Sequence, residues 1–160
     1  LRVPDKKNSP GPRYAALIQL LRTAEALWNT SREFFARWDL SPSQFNVLNI
    51  LREFPDGLSQ TEISRELITH RSNVTGLIDR LEARGLVARR AVAADRRAYR
   101  VAVTAKGHAL LSEILPIYYR AAEAAWSGLS ESRASQIVTD LARITDNAAE
   151  IVARQQKETR

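Results

Sequence analysis

From residue 13 onward the apolar residues recur mostly in steps of three and four, interrupted once by a stretch that alternates, and this pattern lays out the elements. Tyr14, Leu17, Leu21, Ala24, Trp28, Phe35 and Trp38, with Ser31 filling the one gap, make a long seam. Such a seam predicts a helix packed on another helix, within the chain or across a dimer. Ser41-Pro42-Ser43-Gln44 reads as a capping box with proline at the first helical position, opening a helix that buries Phe45, Leu48 and Leu51 or Ile50. Pro55-Asp56-Gly57 ends it with turn chemistry.

A second capping box, Ser59-Gln60-Thr61-Glu62, starts a short helix through Leu67, with Ile63 and Leu67 inward. After the brief link Ile68-Thr69, Thr69 can cap a helix from His70 to Arg84, and two helices joined this tightly make a helix-turn-helix. In this second helix Val74, Leu77, Ile78 and Leu81 fall at helical spacing and form a buried stripe; Arg71, Ser72, Thr75, Gly76, Asp79 and Arg80 fall on the other side. Gly85 stops the helix, and Leu86 to Arg90 begins an extended segment. Its partner, Ala98 to Val103, places Tyr99, Val101 and Val103 on one face and Arg100 on the other, with residues 91–97 as the hairpin loop. A hairpin directly after such a helix is a wing. Thr104-Ala105-Lys106-Gly107 opens another long helix, with Leu110, Leu111, Ile114, Ile117 and Tyr118 inward and a kink expected at Pro116. Gly128 ends it, and Ser130 caps a last helix in which Ala134, Ile137, Leu141, Ile144, Ala148 and Ile151 again alternate by three and four.

Charge changes the picture more than composition does. Between Arg65 and Lys106 ten Lys/Arg stand against Glu66, Asp79, Glu82 and Asp95, while elsewhere fourteen of each sign cancel, so the net +6 is local to this stretch. A positive field on one supersecondary unit is what counterion release from a nucleic-acid backbone requires. The 160 residues suit one ordinary domain, and no apolar run approaches the length of a membrane span, which predicts a cytoplasmic protein with no membrane partner. The lack of cysteine excludes disulfides and thiolate chemistry. With only His70 and His108 as imidazoles, neither a metal site nor a cofactor is expected. No nucleophile with a base and no phosphate-cradling glycine loop is evident, so no catalytic residue is assigned.

The runs Leu40 to Leu48, Ser59 to Leu67 and Arg71 to Thr75, leading into Leu81-Glu82-Ala83-Arg84-Gly85-Leu86-Val87, resemble the MarR family of bacterial winged-helix transcription regulators. The wing Asp95-Arg96-Arg97 followed by Val103-Thr104-Ala105-Lys106-Gly107 completes the pattern, with Val103 where the family usually has leucine. The resemblance implies a mainly α fold with a small β-wing: a winged helix-turn-helix domain over residues 39–107 and dimerisation helices over 13–38 and 108–155. Residues 1–12, with three of the six prolines and Lys6, Lys7, Asn8, Ser9 and Gly11, read from their composition as a flexible arm. The resemblance also implies a triangular homodimer, with the first and last helices of both chains as its base.

On that reading Thr69, His70, Arg71, Ser72, Asn73 and Thr75 start the helix that enters a major groove, where Arg suits guanine and Asn suits adenine. Arg80 reaches a phosphate, as do Arg89, Arg90 and Arg100 unless they are ordinary strand charges. Arg96 and Arg97 lie at a tip that fits the minor groove, and the resemblance has Asp95 hold the Arg97 guanidinium. The family's small aromatic or phenolic effectors suggest a cleft involving Trp28, Phe35, Trp38 and Phe45, although the first three share the helix seam and serve packing equally well. The expected function is a sequence-specific regulator of double-stranded DNA, a homodimeric repressor released by such an effector and bound to a pseudo-palindromic operator. A winged helix used for protein assembly, or a sequence-blind DNA binder, is the alternative.

Overall fold

The computed structural model describes residues 11–68, 73–92 and 95–158, with backbone alone at 92, 95–98, 152, 157 and 158. The chain separates into two compact units at the boundary between Ser112 and Glu113.

In the first unit α1 (Pro12–Ala36) opens on Pro12 after Gly11, so the helix begins one residue before the expected boundary at 13. The reason is proline's fixed φ, which suits a first helical turn and costs no needed N–H. The remainder of the expected arm, residues 1–10, lies outside the described residues. Phe35 is the buried residue of α1; Tyr14, Leu17 and Leu21 are exposed, and Trp28 is half-buried. Trp38 falls beyond the helix, in the turn that leads to Leu40.

Helix α2 (Pro42–Arg52) carries the expected capping box: Ser41 Oγ accepts from the Gln44 N–H at 3.2 Å, and Gln44 Oε1 accepts from the Ser41 N–H at 2.8 Å. That reciprocal pair satisfies the buried Gln44 amide oxygen. Phe45, Leu48 and Leu51 are buried, Val47 joins them, and Ile50 is only half-buried. Phe45 stacks on Phe35 with ring centres 4.2 Å apart and planes at 22°, which joins α1 to α2.

After α2 the chain turns through Gly57, whose φ of 75° suits glycine. Leu58 then pairs with Val101 through hydrogen bonds of 2.9 and 2.7 Å, an isolated bridge that sequence reading missed because one residue has no alternation to detect. Helix α3 (Gln60–Glu66) has the second capping box, between Ser59 and Glu62, and buries Ile63. Leu67 closes it in an extended conformation and is buried, while the Ile68 N–H donates to Asn46 Oδ1 at 3.2 Å and ties this end back to α2.

Helix α4 (Val74–Ala83) buries Val74, Leu77, Ile78 and Leu81, the expected stripe. The helix was expected from His70 with Thr69 as its cap, but Thr69 to Ser72 lie outside the described residues. Asn73 has φ −136° and ψ 29°, outside the helical region, so the regular helix starts at Val74. The Asn73 carboxamide folds over Gly76: its Oδ1 would stand 2.5 Å from a Cβ there. At the other end the Gly85 N–H donates to Glu82 O and the Leu86 N–H to Leu81 O, the paired bonds of a Schellman motif, with Gly85 at φ 70°.

Strands β1 (Val87–Val92) and β2 (Asp95–Val103) pair antiparallel, with Arg89 opposite Val101 and Arg90 opposite Arg100. The loop expected over 91–97 is therefore strand at 91, 92 and 95–97, while 93 and 94 lie outside the described residues. The register slips between Ala91, opposite Tyr99, and Val92, opposite Asp95, so a bulge absorbs the residues that the alternation assigned to loop. Helix α5 (Ala105–Ala125) follows Thr104, whose Oγ1 accepts from the Gly107 N–H at 3.1 Å and donates to Gly85 O at 2.7 Å. It stays helical through Pro116 and buries Leu111 in the first unit.

The second unit holds the rest of α5, a turn with Gly128 at φ 86°, and α6 (Glu131–Glu158). Ile114 and Leu115 are buried and Ile117 and Tyr118 half-buried. Ser130 Oγ accepts from the Arg133 N–H at 3.3 Å as the expected cap. Ala134, Ile137 and Leu141 are half-buried, but Ile144 and Ile151, on the same spacing, are exposed.

The Gly57 turn yields a test. A Cβ at Gly57 would lie 2.5 Å from Val101 O in a conformation that disfavours side chains. Gly57→Ala should lower stability by roughly 1–3 kcal/mol in urea unfolding. A change under about 0.5 kcal/mol, the scale of an ordinary surface substitution, would contradict this account of the turn.

Candidate nucleic-acid interface

The outward side of α4 follows from its inward side. With Val74, Leu77, Ile78 and Leu81 buried, Asn73, Thr75, Asp79 and Arg80 are exposed, and Gly76 is half-buried between them. Thr75 Oγ1 accepts a hydrogen bond from Gln60 Nε2 at the start of α3. Arg80 is exposed on this side of the helix. Of the other expected contacts, Thr69, His70, Arg71 and Ser72 lie outside the described residues. Asp95, Arg96 and Arg97 open β2 in the backbone, and their side chains are likewise outside the description.

The strand arginines divide by face. Arg89 alternates with Val87 and so stands on the inner side of the hairpin, against α4, where Asp79 and Glu82 both accept from its guanidinium. Its backbone N–H also donates to Glu82 Oε1, at 2.9 Å, and its guanidinium carbon lies 5.2 Å from the centre of the Tyr99 ring. The hydrogen bond to Asp79 raises the Arg89 pKa further, against the opposing effect of burial, so its charge is permanent and internally balanced. Arg90 and Arg100 face each other across the ladder, where like charges repel. They diverge: Arg90 Nη1 donates to Pro55 O at 3.4 Å, and Arg100 Nε to Gly57 O at 3.0 Å while its Nη2 lies 3.5 Å from Glu62 Oε2. Arg89 and Arg90 read alike in the sequence; their opposite places in the strand alternation and the acidic pair one turn apart on α4 were the unused signals.

Two further cations close the C-terminal end of α4. Arg84 Nη2 donates to Trp38 O at 3.0 Å, and Lys106 Nζ donates to Arg84 O at 2.8 Å. Positive groups at that terminus complement its dipole. The aromatic candidates also separate. Phe35 and Phe45 are buried against each other, whereas Trp28 and Trp38 are half-buried.

A family model described as the MarR family matches residues 38–98, from the turn before α2 into the first half of β2. Among solved structures, the transcriptional repressor CouR bound to a 23-mer DNA duplex is 30% identical, with 79% of this chain and 89% of that chain covered and a TM-score of 0.70. The chain belongs to the MarR family. The transcriptional regulator SlyA is similar too, at 28% identity, 84% and 94% coverage and a TM-score of 0.74. So is BpsR of Bordetella bronchiseptica, whose DNA binding is regulated by 6-hydroxynicotinic acid, at 28% identity, 86% and 99% coverage and a TM-score of 0.74. This MarR chain is a transcription regulator of winged-helix fold and not an enzyme. Among its described residues no group of His, Asp and Glu gathers as a metal site, and no helix is long and apolar enough to cross a membrane.

Glu62 provides a pH test in this MarR chain. Hydrogen bonds from the Ser59 backbone and hydroxyl, with Arg100 and Arg65 adding attraction, hold its carboxyl below the ordinary 4.5. A folded-state pKa below the unfolded one adds stability above the unfolded value, and that stability is lost as pH falls through the folded pKa. The stability advantage of the protein over Glu62→Gln should therefore be constant near neutrality and vanish on acidification below about pH 4.5. A pH-independent difference in thermal unfolding would rule out this role.

Proposed function

We propose that this MarR-family regulator is a homodimeric repressor that reads a pseudo-palindromic operator and is released by a small aromatic or phenolic effector. Residues 39–107 form the DNA-binding domain, and α1 and α6 supply the dimer base. The observation that carries the reading is the solvent side of α4, where Thr75 and Arg80 are exposed, with exposed Asn73 just before it and a two-stranded wing after it. Helix-turn-helix docking places the start of such a helix in the major groove, so Thr69, His70, Arg71 and Ser72 join Asn73 and Thr75 there. Arg80 and Arg90 meet phosphates, while Arg96 and Arg97, with Asp95 orienting Arg97, enter the minor groove. CouR bound to DNA and the control of BpsR by 6-hydroxynicotinic acid support the operator and the effector respectively.

The dimer is supported by apolar side chains that one chain leaves uncovered: Leu17, Leu21 and Leu27 on α1, and Val138, Ile144 and Ile151 on α6. A homodimer also supplies the second half-site that a palindrome requires. For the effector, Trp28 and Trp38 offer half-exposed aromatic surface, backed by the Phe35–Phe45 pair. Such a compound acts by binding one arrangement of the two DNA-binding domains better than the other. The reading places the protein in the cytoplasm, with its DNA.

The deciding experiment is salt-titrated binding to an inverted repeat selected from random-sequence DNA, with sedimentation to count chains. The protein should bind as a dimer, prefer the selected site over random duplex by about a thousandfold or more, and lose affinity steeply with salt. Arg71→Ala with Arg97→Ala should weaken binding and narrow the preference for the selected site over random duplex. Equal affinity for selected and random DNA would favour a sequence-blind binder. Absence of DNA binding with a tolerant double variant would favour a protein-assembly module.

A further inference from the structure

A closed circuit of polar contacts runs around the edge where α3, α4 and the hairpin meet. The Tyr99 hydroxyl on β2 donates to Gln60 Oε1 at 2.8 Å, and Gln60 Nε2 donates in turn to Thr75 Oγ1. Asp79, one turn further along α4, accepts from Arg89 on β1, and the Arg89 guanidinium lies 5.2 Å from the Tyr99 ring centre, which completes the ring. Glu82 adds a second anchor by accepting from both the Arg89 backbone and its side chain. Every side chain of the circuit has its partner inside the circuit, and the contacts bridge four elements, α3, α4, β1 and β2.

We propose that this circuit makes α4 and the hairpin a single rigid reading head, with Arg89, Tyr99 and Gln60 as positioning residues and not as phosphate contacts. Fixing the angle between helix and wing fixes the distance between a major-groove and a minor-groove contact. A duplex whose groove geometry does not match that distance is then rejected, so the circuit acts on sequence discrimination. The chemistry also limits what Arg89 can give to DNA: two carboxylates balance its charge, and releasing it would leave both without their cation. The inference rests on the DNA-binding reading above for its functional consequence, but not for the rigidity itself.

Asp79→Asn separates the two roles of Arg89 by sign. As a phosphate contact, Arg89 would be freed by the substitution, and binding would tighten with a steeper salt slope. As a positioning residue it loses its anchor. Asp79→Asn and Tyr99→Phe should each weaken binding to the selected site by about tenfold, leave the salt slope unchanged and narrow the preference over random DNA. Because either cut opens the same ring, the double variant should bind less than twofold more weakly than either single variant, well short of the product. In the free protein, amide exchange at Arg89 to Ala91 should accelerate in both variants while global unfolding in urea changes little. Unchanged exchange overturns the rigid head whether or not DNA is bound. Tighter binding in Asp79→Asn, or a salt slope lowered by about one unit in Arg89→Gln with its preference intact, overturns the positioning role. If the unmodified protein binds no DNA, the proposed function fails and the exchange result still decides the circuit.

Discussion

The corner at Gly85 and Leu86 is the constraint on which the placement of the hairpin against α4 depends. There α4 ends, the hairpin begins and α5 starts, all within a few hydrogen bonds. Leu86 is buried, its N–H completes the helix end on Leu81 O, and its carbonyl accepts from the Thr104 N–H at 3.1 Å. The Thr104 hydroxyl reaches back to Gly85 O, and Gly107 sits so close to Leu86 O that any Cβ would collide with it. A chain leaving α4 at another angle could keep its apolar stripe but would present the wing elsewhere. Three residues hold that angle: Gly85 for the left-handed turn, Thr104 for its two hydrogen bonds and Gly107 for the close approach.

Around this corner the apolar and polar contributions have different jobs. Burying Val74, Leu77, Ile78 and Leu81 is worth roughly 1.5–3 kcal/mol each and supplies the energy that holds α4 in place. Such packing is indifferent to small rotations of the hairpin. The ion pairs of Arg89 are partly exposed and add little net stability, but they are directional. Stability therefore comes from the core of the head, and its geometry from the polar rim.

The same division explains how a strongly basic segment can be selective. Arg84, Arg89, Arg100 and Lys106 are engaged with carbonyls or carboxylates of their own unit. Charge spent internally does not pull on every phosphate equally, which leaves a smaller set of free cations to set the salt dependence. In the MarR reading, affinity then comes from few phosphate contacts and discrimination from the fixed spacing of helix and wing.

Local rules determined much of this protein directly. Both capping boxes, the Gly85 stop, the buried stripe of α4 and the hairpin after it follow from spacing and side-chain chemistry within a few residues, and the structure reproduces them. Local rules also identified the basic segment. They did not reach what depends on contacts distant in sequence: the Leu58 bridge to Val101, the extension of the ladder past a bulge at Ala91, and the non-helical Asn73 folded over Gly76. Least accessible was the fate of individual arginines. Arg89, Arg90 and Arg100 read alike as basic strand residues, yet one is clasped by α4 and the others by the turn after α2 and the start of α3. A charge announces itself in the sequence, but whether it is free depends on which carboxylate or carbonyl the fold brings within about 3 Å, and only tertiary structure sets that distance.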